Sequence, residues 1–132
     1  MDLNNLTLLN IASKKMQWLS EKQKVITENV VNSDTPEYKA QTTASFDEYL
    51  NNSNSKSVST YVTNEKHIVG KKGLSSVAVV DDKNAWVSKP NGNTVSLEQQ
   101  QIEAAEVRES FNFASNLYKK GYSLYRTALG NN

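Results

Sequence analysis

The sequence predicts a mainly α fold. The N- and C-terminal helices should pair as a coiled coil, with an extended segment and a small irregular or β-hairpin middle between them. Near the start, Leu9, Ala12, Met16, Leu19, Gln23, Ile26 and Val30 alternate at steps of three and four. Near the end, Val107, Ser110, Ala114, Leu117, Gly121, Leu124 and Ala128 do the same. This spacing lays each set along one side of a helix. The middle is rich in Asn, Ser, Lys and Thr and has too few apolar residues to bury either stripe. The two stripes must therefore cover each other or be covered by other subunits.

A single domain is expected over 1–132, in four parts. The first helix, over 4–31, starts at Asn4 or Asn5, either of which can cap it. Pro36 sets its far limit, because the ring blocks helical hydrogen bonding and drives Thr35 into an extended conformation. Over 32–50 the sequence reads as a turn and an extended segment. Asn32, Ser33 and Asp34 favour turns through short side chains that bond nearby backbone. Ser45 and Glu48 are spaced as a capping box, so Phe46, Tyr49 and Leu50 fit one short helical turn. A polar loop with a weak β-hairpin is expected over 51–95. Residues 51–57 are low in complexity and read as a mobile loop, and Val58, Thr60 and Val62 alternate with polar neighbours. Gly70 to Gly73 is a turn signal, and Val77–Val80 and Ala85–Ser88 flank Asp81-Asp82-Lys83-Asn84 as a hairpin would. The second helix, over 96–130, has Ser96 as N-cap, Gln99 as capping partner and Gly130 as its stop.

Composition removes several function classes. The 132 residues suffice for one core, and the apolar share of 37% means either a small core or a surface that is buried only on assembly. A formal charge of +1 with both signs dispersed gives no electrostatic case for nucleic acid or an anionic membrane. Lys14, Lys15, Lys22 and Lys24 read as a solvated helix face. The absence of cysteine removes disulfides and thiolate catalysis. The N-terminus lacks the apolar core and cleavage site of a secretory signal. No phosphate-binding glycine loop, nucleophile elbow or metal-spaced histidines occur. His67 has no candidate nucleophile nearby, and Asp81-Asp82 lacks the alternating carboxylates of a calcium loop. No catalysis, metal, cofactor or small-molecule substrate is expected.

The helices carry more apolar surface than one partner can hide. Ile11, Trp18 and Val25 form a second stripe on the first helix. Phe111, Tyr118 and Tyr125 recur every seven residues on the second, widened by Phe113, Tyr122 and Leu129. Surplus faces of this kind mark interfaces, and neighbouring subunits are expected on them, the alternative being that the middle segment folds back over them. The residues expected to form the assembly interface are Leu9, Ala12, Met16, Leu19, Ile26 and Phe46, with Val107, Phe111, Ala114, Leu117, Tyr118, Leu124 and Tyr125. A helical export adaptor or chaperone gripping an unfolded client is the alternative.

The stretch Asn29-Val30-Val31-Asn32-Ser33-Asp34-Thr35-Pro36-Glu37-Tyr38-Lys39-Ala40 resembles the signature that follows the N-terminal helix in bacterial flagellar axial proteins. Its key positions here are Asn29, Asn32, Asp34, Thr35, Pro36, Tyr38 and Lys39. Glu37 stands where the family usually has Gly, so a positive φ there would strain it. Asp34, Phe46, the stretch from Thr63 to Ile68 and Gly92-Asn93-Thr94-Val95-Ser96-Leu97-Glu98 are similar to the flagellar basal-body rod protein family, in its short proximal-rod branch. A sister proximal-rod subtype is the nearest confusion. The resemblance implies terminal helices stacked with those of other subunits into a helical tube that transmits torque and encloses the export channel. It implies a place in the basal-body rod, in the periplasmic space, reached through the flagellar type III export apparatus without a cleaved signal. The implied partners are other rod subunits, the adaptor protein FliE and the membrane ring. Tyr38 and Phe46 are expected to anchor the signature turn against a neighbour.

Overall fold

The structure, a computed structural model, describes residues 3–54 and 77–130. In chain order the elements are α1 (Leu3–Val31), β1 (Gln41–Thr43), α2 (Phe46–Asn54), β2 (Val79–Asp81) and α3 (Leu97–Ala128). The fold is mainly helical, with the two long helices packed together and a small antiparallel sheet between them in sequence. The expectations for Val58, Thr60, Val62, Thr63 to Ile68 (including His67) and Gly70 to Gly73 lie outside the described residues.

The two heptad stripes meet in an antiparallel pair. Leu19, Ile26 and Val107 form the buried cluster at its centre, with Trp18 and Ala104 packed against it. Toward the chain termini the seam narrows to small residues: Ala12 and Ala114 are each 4% exposed, and Gly121 is buried. A Cβ on Gly121 would stand 3.0 Å from Leu9 Cδ2, so the missing side chain lets the helices close on each other there. The stripes are not covered along their whole length. Val30 is 42% exposed and Leu124 is 54% exposed.

Helix boundaries follow local chemistry. α1 begins at Leu3, ahead of both Asn4 and Asn5. α3 begins after Ser96, whose Oγ accepts from Gln99 N at 3.3 Å. The Gln99 side chain does not return to the cap. It accepts from Trp86 N through Oε1 and donates to Asp82 Oδ2 and Glu103 Oε1 through Nε2. At the far end, Gly130 takes φ 72° and its N–H bonds Thr127 O, while Leu129 N–H bonds Tyr125 O. α2 is longer than one turn. Ser45 Oγ accepts from Glu48 N, and the helix runs on through residues 51–54, which the sequence assigns to a loop. A run of small polar residues has weak helix propensity but continues a helix that is already nucleated.

The strand pairing also differs from expectation. Val79–Asp81 does not turn back on residues 85–88. It pairs antiparallel with Gln41–Thr43, in the register Gln41↔Asp81, Thr42↔Val80 and Thr43↔Val79. Ala44 N–H to Ala78 O and Asp82 N–H to Ala40 O, each 2.8 Å, extend the ladder. An isolated hairpin is marginal in water, whereas the extended segment after α1 is already held and offers open backbone groups. Asp82 instead accepts from Asn84 N in a local turn.

The surplus stripe on α1 is mostly covered within the chain, correcting the expectation that neighbours hide it. Val25 is 2% exposed, and Trp18 is partly buried and donates through Nε1 to Ala44 O at 2.8 Å. Ile11 alone of the three stays exposed, at 42%. Leu19→Ala should lower unfolding stability by about 3 kcal/mol, since it opens a cavity in the buried cluster of the seam. Leu124→Ala should change stability by less than about 0.5 kcal/mol. Urea denaturation of the two variants checks the contrast.

Candidate assembly surface and its turn joint

The chain leaves α1 through consecutive turns over 32–37 and becomes extended at Tyr38. Asn32 fixes the exit: its N–H and its Nδ2 both donate to Glu28 O, and its Oδ1 accepts from Thr35 Oγ1 at 3.2 Å. A second turn, over residues 89–93, lies against the first. Lys89 N–H bonds Asn93 O and Gly92 N–H bonds Lys89 O, each at 2.9 Å. Gly92 has φ 83°, and a Cβ on it would lie 2.8 Å from the Glu37 carboxyl group.

Asn93, fully buried, fastens the two turns. Its Nδ2 donates to Asn32 O and to Thr35 O, each at 2.8 Å, while its Oδ1 accepts from Val95 N at 2.9 Å. Glu37 N–H bonds Asn91 O, Thr94 N–H bonds Tyr38 O, and Ala40 N–H bonds Thr94 Oγ1. Two ammonium groups complete the clasp, Lys39 on Gly92 O and Lys89 on Ser33 O. Lys89 also lies near Glu98, whose carboxyl is held below its ordinary pKa first by its own backbone N–H, then by the Ser96 hydroxyl and more weakly by Lys89.

Asn29 joins this clasp to both long helices. It is 1% exposed, and its Nδ2 donates to Gln41 O and to Gln100 Oε1 of α3. Its Oδ1 accepts from Gln41 N at 2.9 Å and from the Tyr38 hydroxyl at 3.3 Å. Burial, and then the Glu28 carboxylate, push the Tyr38 phenol above its ordinary value of 10.0, partly offset by the Asn32 amide. Of the signature positions, Asn29, Asn32, Thr35, Tyr38 and Lys39 are thus brought into one network, while Asp34 and Pro36 are exposed. Glu37 takes φ 61°, the left-handed conformation that glycine adopts more easily. Sequence reasoning missed Asn93, Thr94 and Gln100 as partners. The available signal was that both resembling stretches, 29–40 and 92–98, sit beside a helix end.

The lysines of α1 are engaged as well. Lys15 Nζ lies 4.4 Å from the ring centroids of both Trp18 and Phe46, and burial followed by Lys22 lowers its pKa. Lys14 Nζ donates to Ser53 Oγ, Lys22 approaches Glu103 Oε2 at 4.0 Å and Lys24 pairs with Glu21. Phe46 meets Trp18 edge-on at 5.9 Å, and the Tyr49 hydroxyl donates to Gln17 Oε1. Both proposed anchor rings, Tyr38 and Phe46, are therefore in contact within the chain.

The expected interface residues divide by exposure. Ala12, Leu19, Ile26, Val107 and Ala114 are buried in the seam, and Leu9, Met16, Phe46, Leu117 and Tyr125 are partly covered. Phe111 and Tyr118, each 37% exposed, and Leu124 face outward, joined by Phe113, Tyr122 and Leu129. Beside the seam lies an open groove of about 440 Å³, lined by Leu8, Ile11, Phe46, Phe113 and Leu117 among others. Among the described residues no helix is long and apolar enough to cross a membrane.

No family model matches the sequence. The chain is 29% identical over 115 residues to the flagellar basal body rod protein FlgB of Agrobacterium fabrum (strain C58 / ATCC 33970), covering 85% of this chain and 84% of that protein. The similarity runs over most of both chains.

Asn29→Ala should lower stability by about 2–4 kcal/mol, because it strands buried partners on three segments. Glu37→Gly should raise it by about 1 kcal/mol by releasing the left-handed backbone. Chemical denaturation reads both. Because the folded chain holds Tyr38 neutral to higher pH than the unfolded chain does, its contribution is complete below pH 10.0 and is lost as the pH climbs past that value. Tyr38→Phe should flatten that alkaline decline in the denaturation midpoint.

Proposed function

We propose that this chain is a structural subunit of the proximal rod of a bacterial flagellar basal body, with a FlgB-like role. The observation that carries this reading is the near full-length similarity to a basal-body rod protein. The architecture suits it. Two long helices form a stiff rod, the turn clasp fixes the direction in which the middle leaves it, and the aromatic flank of α3 is left for neighbours. Exposed apolar patches of this kind mark protein–protein contacts.

In this role the subunit stacks through Phe111, Tyr118, Leu124 and their neighbours against other rod subunits, in heterologous contacts that build an open helical array. The buried seam residues act indirectly, by holding α3 straight. The array carries torque and lines the export channel. FliE and the membrane ring are its neighbours at the base, and the type III apparatus delivers it across the inner membrane to the periplasmic rod without a cleaved signal. Load is borne by packing, with no catalytic step. The signature turn orients the middle of the chain against a neighbour.

The sister rod protein FlgC is the alternative within the same machine. An export adaptor or chaperone is the alternative outside it. Deleting the gene should abolish swimming and leave basal bodies without a complete rod, and tagged protein should co-purify with basal bodies. Normal swimming, or recovery of the protein only in soluble one-to-one complexes with an export client, overturns the reading.

A further inference from the structure

One exposed side of α3 repeats at intervals of 11 residues. Ile102, Phe113 and Leu124 are 48%, 70% and 54% exposed. Eleven residues make just over three whole turns, so the three side chains stand nearly in line, about 16 Å apart. Glu106 and Glu109 lie between the first two, and Lys120 lies between the last two, all exposed. The stripe therefore has evenly spaced apolar anchors, with acid before the central ring and base after it. Among the described residues the ion pairs are Lys22–Glu103 and Lys24–Glu21, so these charges are not consumed within the chain.

The geometry points to a second copy of this chain as the occupant of this stripe, with the two α3 helices parallel and one advanced by 11 residues, about 16 Å. That offset sets Phe113 of one copy beside Ile102 of the next, Leu124 beside Phe113 and Lys120 beside Glu109. In register, the parallel arrangement fails, because Glu106 and Glu109 meet their own counterparts. An antiparallel pair also matches charges, with Lys120 on Glu106 and Phe113 on Phe113, but it closes after two copies. The choice of the parallel offset rests on the rod reading, which needs an open-ended polar stack. Exposed ion pairs add little affinity. The apolar anchors supply the burial, and like-charge repulsion selects the offset.

The chain has no cysteine, so single thiols can report the arrangement. Full-length Phe113→Cys and Leu124→Cys variants are oxidised alone and mixed, as concentrated pure protein and in isolated basal bodies. The mixture should give the heterotypic 113–124 disulfide as the main product. A dominant Phe113→Cys homodimer overturns the proposal, since only the antiparallel or in-register arrangement brings that position onto itself. Adding Glu109→Lys to both thiol variants, or Lys120→Glu to both, should lower the heterotypic yield about tenfold. Mixing one charge variant with the other should restore it. If the bond forms in pure protein that is absent from basal bodies, the offset stands and the rod reading fails. If the protein sits in basal bodies and neither the bond nor any charge effect is seen, the rod reading stands and the offset fails.

Discussion

The Asn29 carboxamide sits where α1, the extended segment and α3 meet, and all its bonding capacity is used there. A carboxamide has two donor hydrogens and two acceptor lone pairs. The donors go to Gln41 O and Gln100 Oε1, and the acceptor takes Gln41 N and the Tyr38 hydroxyl. By exchanging two hydrogen bonds with the backbone of Gln41, the side chain imitates a paired strand. By meeting Gln100, it sets the register of α3 against α1. In a buried, low-dielectric setting such a network is costly to leave half made, so the junction has one arrangement. The start of α3, the approach of the second turn and the ladder between β1 and β2 all build outward from it.

The molecule divides its labour between polar and apolar ends. Close to the junction, neutral amides and backbone groups hold loops in place, and long apolar side chains fill the seam at Leu19, Ile26 and Val107. Toward the termini the seam passes to Ala12, Ala114 and Gly121. Small residues let the helices approach there, while the large side chains of α3 at Phe113, Tyr122 and Leu124 lie on its outer face.

The paired helices were legible because a three-four spacing has one physical meaning, and Ser96 and Gly130 are strong boundary signals. The turn at 32–37 was legible from its short polar side chains and Pro36. The strain at Glu37 was legible only through the resemblance, because nothing in composition reveals a φ value. The partner of β2 was not legible. Residues 79–81 and 85–88 both have strand-like composition, and pairing between segments some forty residues apart leaves no local trace. Asn93 and Gln100 were hidden for a related reason: a buried amide reads as a surface polar residue until the groups it serves are known. The extent to which the middle covers α1 was not legible, because the Trp18 indole is held by a backbone carbonyl, Ala44 O, which leaves no trace in the apolar pattern.

The ladder between Gln41–Thr43 and Val79–Asp81 has a further consequence. Ala44 N–H and Ala78 O close the base of everything between them. β1 follows directly on the turns that end α1, and β2 leads on toward the start of α3. The short ladder is therefore a second tie between the two long helices, made of backbone groups and so indifferent to which side chains the strands carry.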